Sequence, residues 1–379
     1  MVTTDTIHRL GLQGVIAATT RLSRVDGLAG ELTIAGYRLD DLAPYAIYEE
    51  VLYLLWHNTL PNQAELADFQ AELAELRQIP AIGYDILQQA ADKKLPVMDA
   101  LRMVTDITIL QAQSDDPHHL AQLLVATMPT IVAAYWRLLH GDTPISPRAD
   151  LSHTANYLTM LAGNQPSPEQ VRALDTYLNT VIEHGLNAST FTGRVIISTQ
   201  SDMVSAIVGA IGALKGPLHG GAPGPALDMV FEIAHADNAE SYLRKKLDAG
   251  ERLMGFGHRV YKVRDPRADV LNRAAQDFFV DGEGRALYDL AIAVEQTALR
   301  LLEEYKPERK LQTNVEFYTA LILHGIGLDS DLFSPTFAIA RVGGWTAHAL
   351  EHIQTGRLLR PLVEYTGAFN QTFIPLEQR

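Results

Sequence analysis

Arg285-Ala-Leu-Tyr-Asp-Leu-Ala-Ile-Ala-Val-Glu-Gln-Thr-Ala-Leu-Arg-Leu-Leu-Glu-Glu304 is the stretch that decides the fold class. Leu287, Leu290, Val294, Ala298 and Leu301 recur at spacings of 3, 4, 4 and 3, which lays one apolar stripe along a helix. Acidic and basic residues fill the opposite face, Gly282 and Gly284 stand before it, and Pro307 closes it. Working outward, the same reading predicts helices over roughly 46–58, 63–77, 82–91, 97–110, 118–138, 150–162, 167–186, 197–213, 222–234, 239–249, 267–279, 314–325 and 333–352. Residues 14–38 hold short alternating pieces, among them Glu31-Leu-Thr-Ile-Ala-Gly-Tyr37, and read as a small hairpin or extended arm. Asp40 and Asp41 then offer N-cap chemistry. No strand run alternates with the helices, so a Rossmann or barrel reading is poor and an all-α fold is expected.

The bulk properties narrow the function. A chain of 379 residues, 47% hydrophobic and 20% charged, is an ordinary globular protein with room for one large domain or two moderate ones. Cysteine is absent, which excludes disulfides, thiolate zinc sites and cysteine nucleophiles. A net charge of −14 argues against nucleic acid as a partner, because phosphate neutralisation needs a basic face. Any anionic ligand must be small and met by local cations. The sequence suggests no apolar run long enough to span a bilayer, and Met-Val-Thr-Thr-Asp-Thr lacks the features of a signal peptide, so no membrane association and a cytoplasmic location are expected.

Polar residues of catalytic type cluster at four places. Met254-Gly-Phe-Gly-His-Arg-Val-Tyr-Lys-Val-Arg-Asp-Pro-Arg267 combines a glycine-flanked turn, His258, and the cations Arg259, Lys262, Arg264 and Arg267. It reads either as a solvated loop with Asp265 as salt-bridge partner or as an anion site with a titratable group at its mouth. Glu183-His-Gly-Leu-Asn-Ala-Ser-Thr190 lies near a predicted helix end, and His219 is set between Gly216-Pro217 and Gly220-Gly221. In Asn314-Val-Glu-Phe-Tyr318 the carboxylate of Glu316 stands among apolar neighbours, where desolvation raises the pKa and makes a better base. A competing motif is His348-Ala-Leu-Glu-His352, whose i, i+4 histidines share one helical face and match an inverted zinc-protease pattern. It lacks a clear third ligand downstream and ranks below the other reading.

Taken together these segments resemble the citrate synthase family. The resemblance is carried by Leu22-Ser-Arg-Val-Asp-Gly27, Leu151-Ser-His-Thr-Ala-Asn156, His184-Gly-Leu-Asn-Ala-Ser-Thr-Phe191, Leu214-Lys-Gly-Pro-Leu-His-Gly-Gly-Ala222, Met254–Arg267, Asn314–Tyr318, Phe337-Ala-Ile-Ala-Arg341 with Gly344-Trp345, and Arg360-Pro361, in family order over nearly the whole chain. It implies a helical homodimer of the compact bacterial and archaeal type. A large domain would comprise residues 1–219 and 326–379, and a small domain, 220–325, would be inserted between them. The cleft would close on oxaloacetate and then bind acetyl-CoA, without a metal or redox cofactor. The resemblance implies Glu316 as the base, His219 as hydrogen-bond donor to the thioester oxygen, and His258 as the group that polarises the ketone. It implies His184, Arg267 and Arg341 as oxaloacetate contacts, with Arg360 reaching in from the second subunit. Ser189 would orient His219, and Arg259 and Lys262 would meet CoA phosphates.

Two departures stand out. Glu316 replaces the family's usual Asp, and one extra methylene moves a carboxylate by roughly 1 Å, which can cost about 10²-fold in rate. Pro223 stands where many relatives have Asn, and it suits the first turn of the following helix. The expected activity is condensation of acetyl-CoA with oxaloacetate to citrate. The alternatives are a 2-methylcitrate synthase using propionyl-CoA, and a weakly catalytic member that mainly binds CoA or a partner. A methyl group in a hydrophobic pocket is discriminated by only about 1–3 kcal/mol, so residue patterns do not separate the first two.

Overall fold

The computed structural model describes residues 10–12, 14–220, 223–258 and 260–379. Among them sixteen α-helices and a three-stranded antiparallel sheet account for the architecture, so the all-α expectation holds. In the sheet Ser23–Asp26 pairs with Glu31–Ile34, with Ser23 opposite Ile34, and Tyr37–Arg38 adds the third strand. This is the extended arm read from residues 14–38.

The helix Pro117–Leu139 runs through the core and packs on Ala81–Asp92, Val97–Ile107, His153–Ala162 and Phe333–Thr355. It corrects one expectation: it is long and apolar enough by composition to cross a membrane. Its most apolar 18-residue window is 72% buried inside the protein, so protein rather than lipid covers it. A second long helix, Phe333–Thr355, packs on Tyr48–His57, Pro168–Val181, Ala188–Ile197 and Met203–Leu214. The helices Pro223–Ile233, Ala239–Asp248, Pro266–Phe278, Gly282–Tyr305 and Val315–Gly325 pack among themselves. They meet the remainder chiefly where Pro266–Phe278 and Val315–Gly325 lie on Pro168–Val181.

Several starts follow from their caps. Pro168 follows Ser167, whose side chain accepts from Gln170 N while the Gln170 side chain accepts from Ser167 N. Asn62 and Glu65 make the same exchange at the helix Gln63–Glu75. Elsewhere the boundaries differ from expectation. Asp40 and Asp41 stand inside the first turn of Leu39–Leu42, where they complement the helix dipole rather than cap it. Gly282, with φ +59°, and Gly284 lie within the helix Gly282–Tyr305 rather than before it. The helix predicted over 167–186 ends at Val181, and Ala188–Ile197 is a helix the sequence did not suggest. Its Thr190, Thr192, Gly193, Val195 and Ile196 have weak helix propensity. Asn187 caps it at Thr190 N, and burial against Met203–Leu214 and Phe333–Thr355 outweighs the propensity.

Candidate active site

The break between Val181 and Ala188 matters because it carries His184. Gly185 turns the chain at φ +61°, and the imidazole Nε2 of His184 lies 3.1 Å from Tyr261 Oη. Burial and the nearby Arg267 and Arg341 guanidiniums hold His184 well below the usual histidine range, so it is neutral.

His258 is delivered by a glycine pair. Gly255 and Gly257 adopt φ +85° and +86°, and a Cβ on Gly255 would stand 2.9 Å from Phe317 Cδ2. The chain between them pairs with residues 312–314, through Gly257 N to Gln312 O at 2.7 Å and Asn314 N to Gly255 O at 3.0 Å. This pairing places His258 beside the helix start that bears Glu316. His258 Nδ1 accepts from the backbone N–H groups of Val260 and Tyr261, each at 3.1 Å. A nitrogen that accepts two such bonds carries no proton, so the proton sits on Nε2. Nε2 lies 3.2 Å from Arg267 Nη2, so two donors converge with no acceptor between them. Burial first, and Arg267 second, lower the His258 pKa to about 4. Arg267 is buried and makes a double contact with Asp265, Nε to Oδ1 at 3.0 Å and Nη2 to Oδ2 at 2.8 Å. Asp265 is thus the local partner anticipated in the sequence, but the pair is buried rather than solvated.

His219 follows the helix Met203–Leu214 in a turn closed by His219 N to Gly216 O at 2.9 Å. Its Nε2 faces Ser189 at the start of the unforeseen helix, with Oγ at 2.8 Å and the backbone N–H at 3.3 Å. The backbone N–H can only donate, so Nε2 is the bare nitrogen and Nδ1 holds the proton. Ser189 Oγ is itself fixed, accepting from Trp345 Nε1 at 3.1 Å and lying 2.8 Å from Asn187 Oδ1. Burial, then Arg341, lower the His219 pKa to about 4.

Glu316 occupies the first turn of Val315–Gly325. Asn314 caps that turn through Oδ1 to Glu316 N at 3.0 Å and anchors it through Nδ2 to Gly257 O at 2.9 Å. Burial raises the Glu316 pKa to about 7, against the opposing pull of Arg267. Arg341 is buried, donates Nε to Val181 O at 2.6 Å and stacks over Phe337 at 4.7 Å. Burial lowers its pKa to about 10, which leaves it a cation at neutral pH.

A cavity of about 310 Å³ opens beside these groups, with His258, Asn314 and Glu316 on its wall. Arg252, Lys306 and Arg309 line it as well. Sequence reading missed these cations. The signal was Lys306-Pro-Glu-Arg-Lys310, a basic run just ahead of Asn314. Of the cations it did name, Lys262 is exposed and absent from that wall, and Arg259 lies outside the described residues. Arg360 is exposed on the segment after Phe333–Thr355.

The zinc reading fails on geometry. His348 Nε2 lies 3.0 Å from Glu183 Oε1, and its Nδ1 accepts from Arg194 Nη1 at 2.7 Å. His352 Nδ1 accepts from Arg194 Nε at 3.4 Å, and its Nε2 donates to Arg357 O at 3.2 Å. Both histidines have both ring nitrogens engaged, and no metal-holding group of three occurs among the described residues.

The family profile described as citrate synthase, C-terminal domain, matches residues 11–362. The chain belongs to the citrate synthase family. It is 41% identical over 376 residues to citrate synthase 2 of Bacillus subtilis, covering 97% of this chain and 98% of that one. It is 35% identical to a 2-methylcitrate synthase of Shewanella oneidensis, covering 97% of each. Among solved structures it superposes with a TM-score of 0.87 on the citrate synthase of Thermoplasma acidophilum in its ternary complex with carboxymethyl coenzyme A and oxaloacetate, at 28% identity and covering 98% of this chain and 99% of that one. Family membership makes the chain an acyl-transferring enzyme of the citrate synthase type.

Proposed function

We propose that this member of the family condenses acetyl-CoA with oxaloacetate and hydrolyses the product to citrate and CoA. The observation that carries the reading is a carboxyl group with a pKa near 7, Glu316, on the wall of one cavity with neutral His258 and three cations. A thioester α-proton is weakly acidic, so its removal needs a positioned base and a donor to the enolate oxygen. Glu316 takes the methyl proton, and the Nδ1–H of His219 hydrogen-bonds the thioester oxygen. The methylene carbon then bonds to the ketone carbon of oxaloacetate. Its C=O electron pair moves to oxygen, where the Nε2–H of His258 hydrogen-bonds the new alkoxide and the proton taken up by Glu316 returns to it. Water attacks the resulting thioester and CoA leaves as the thiol. The reaction so read calls on no metal or redox cofactor.

The two donors that converge at His258 Nε2 and Arg267 Nη2 suit the ketone oxygen or an adjacent carboxylate. Arg341 and His184 complete the oxaloacetate contacts. Arg252, Lys306 and Arg309 fit the anionic CoA better than Lys262 does. The chain acts as a homodimer in the cytoplasm, with 1–219 and 326–379 as large domain and 220–325 as small domain. Arg360 reaches the partner's site. Support for the dimer comes from the C-terminal segment, where Leu362, Val363, Phe369 and Phe373 are each more than two-thirds exposed in the single chain.

Thiol release with oxaloacetate plus acetyl-CoA or propionyl-CoA tests this. Turnover with acetyl-CoA at the higher kcat/KM is expected. Preference for propionyl-CoA would move the chain to the 2-methylcitrate synthases, and silence with both would leave only the binding role. Glu316→Asp is expected to lose activity, since the shorter side chain withdraws the carboxylate by roughly 1 Å; a gain would show that Glu316 is poorly placed.

A further inference from the structure

The small sheet near the N-terminus contacts the segments that carry both proposed oxaloacetate histidines, His184 and His258, through different residues. At one end Ser23 Oγ donates to Glu183 Oε1 at 2.8 Å and accepts from Gly185 N at 3.0 Å, bracketing His184. At the other end the turn after Asp26 lies against the His258 loop. Gly27 O accepts from Lys262 N at 2.8 Å. A Cβ on Gly27 would overlap Val260 O and come within 2.9 Å of Val260 C, and one on Gly30 would stand 2.8 Å from Val263 Cγ2. Val260 is the residue whose N–H bonds His258 Nδ1. The turn itself is stiff, because Asp26 Oδ1 accepts from Leu28 N at 3.1 Å and Ala29 N at 2.9 Å.

We propose that the strand Ser23–Asp26 and its turn at Gly27 form a positioning element that sets His184 and His258 at their working separation. The inference rests on the reading of these histidines as oxaloacetate contacts. Gly27 is required for close backbone approach and not for its own dihedral angles, since it lies outside the left-handed region. Its carbonyl and the missing Cβ together let the His258 loop seat on the sheet. Ser23 holds the other histidine segment from the same strand, so a displacement at either end alters the gap bridged by His184 Nε2 and Tyr261 Oη.

Gly27→Ala and Gly36→Ala separate positioning from stability. Gly36 sits in the neighbouring turn at φ +93° with nothing within 4 Å of an added Cβ, so alanine there strains the backbone without touching the loop. Gly27→Ala is expected to lower kcat about 10²-fold and raise the oxaloacetate KM with the acyl-CoA KM little changed, and to melt lower than wild type because the added Cβ displaces the Val260 backbone. Gly36→Ala is expected to melt about 1–2 °C lower as well but with turnover and both KM values intact. Ser23→Ala should raise the oxaloacetate KM about tenfold with a smaller effect on kcat. Equal turnover in Gly27→Ala and wild type would overturn the proposal, as would equal losses in Gly27→Ala and Gly36→Ala. Should Gly27→Ala not fold, an unchanged oxaloacetate KM in Ser23→Ala overturns it. Absence of turnover in the wild type would instead count against the proposed reaction.

Discussion

His219 and His258 lie in the same protein as His348 and His352, yet the two pairs are satisfied in opposite ways. Each of the first pair has one ring nitrogen held by a backbone N–H, and its other N–H has no acceptor among the described residues. Each of the second pair has both nitrogens engaged, by Glu183, Arg194 and Arg357 O. The fold uses one residue type for both purposes. What distinguishes the two histidines proposed as reactive is incomplete satisfaction combined with a fixed tautomer, not burial, since His348 and His352 are the more buried.

The comparison is broken most severely by exchanging the effects of mutation. His258→Asn should lower kcat about 10³-fold with little loss of stability. His348→Ala should leave Glu183 and Arg194 without their shared partner and cost about 3–5 kcal/mol of stability, measured by chemical denaturation. Stoichiometric zinc lost in His348→Ala would reverse the assignment of the second pair.

A smaller effect concerns pH. As the proposed base Glu316 must be ionised, and its pKa is raised to about 7. The profile of kcat/KM should therefore fall about tenfold per unit below pH 7, while His219 and His258, near 4, contribute nothing in that range. The folded protein also binds the Glu316 proton more tightly than the unfolded chain. The stability this confers is full below the ordinary glutamate range and is lost as pH rises through 7. Glu316→Gln should thus melt higher than wild type at pH 8, by thermal denaturation, while losing activity. A flat activity profile between pH 6 and 8 would detach Glu316 from proton removal.

The smallest effect sharpens the tautomer argument. Ser189→Ala removes the hydroxyl at His219 Nε2 but keeps the backbone N–H that also faces it. Turnover should fall about tenfold or less in a thiol-release assay, because the proton stays on Nδ1. A loss as large as that of His258→Asn would mean that the hydroxyl alone sets the tautomer.

Much of this molecule was legible from residues in order. The apolar stripe through Leu287 and Leu301 marked a real helix, and the polar clusters picked out His184, His219, His258 and Glu316, each of which the fold brings within electrostatic reach of Arg267 or Arg341. The helix Ala188–Ile197 was not legible, because its β-branched residues and Gly193 carry little local preference and its stability comes from neighbours distant in sequence. Arg252, Lys306 and Arg309 escaped notice because a surface cation acquires meaning only when a cavity opens beside it. The helix Pro117–Leu139 was legible as a helix over 118–138 but not as one apolar enough to span a bilayer, since polar residues interrupt a composition that the core accepts.

By itself the sequence determined the all-α class and the chemical types at the site, since periodicity and residue identity are local properties of the chain. Tertiary structure alone decided which histidines remain half-satisfied, which nitrogen carries each proton, and how far Glu316 is lifted toward neutrality. Those properties depend on backbone donors and burial contributed by segments far apart in the chain, and no local pattern encodes the distances between them.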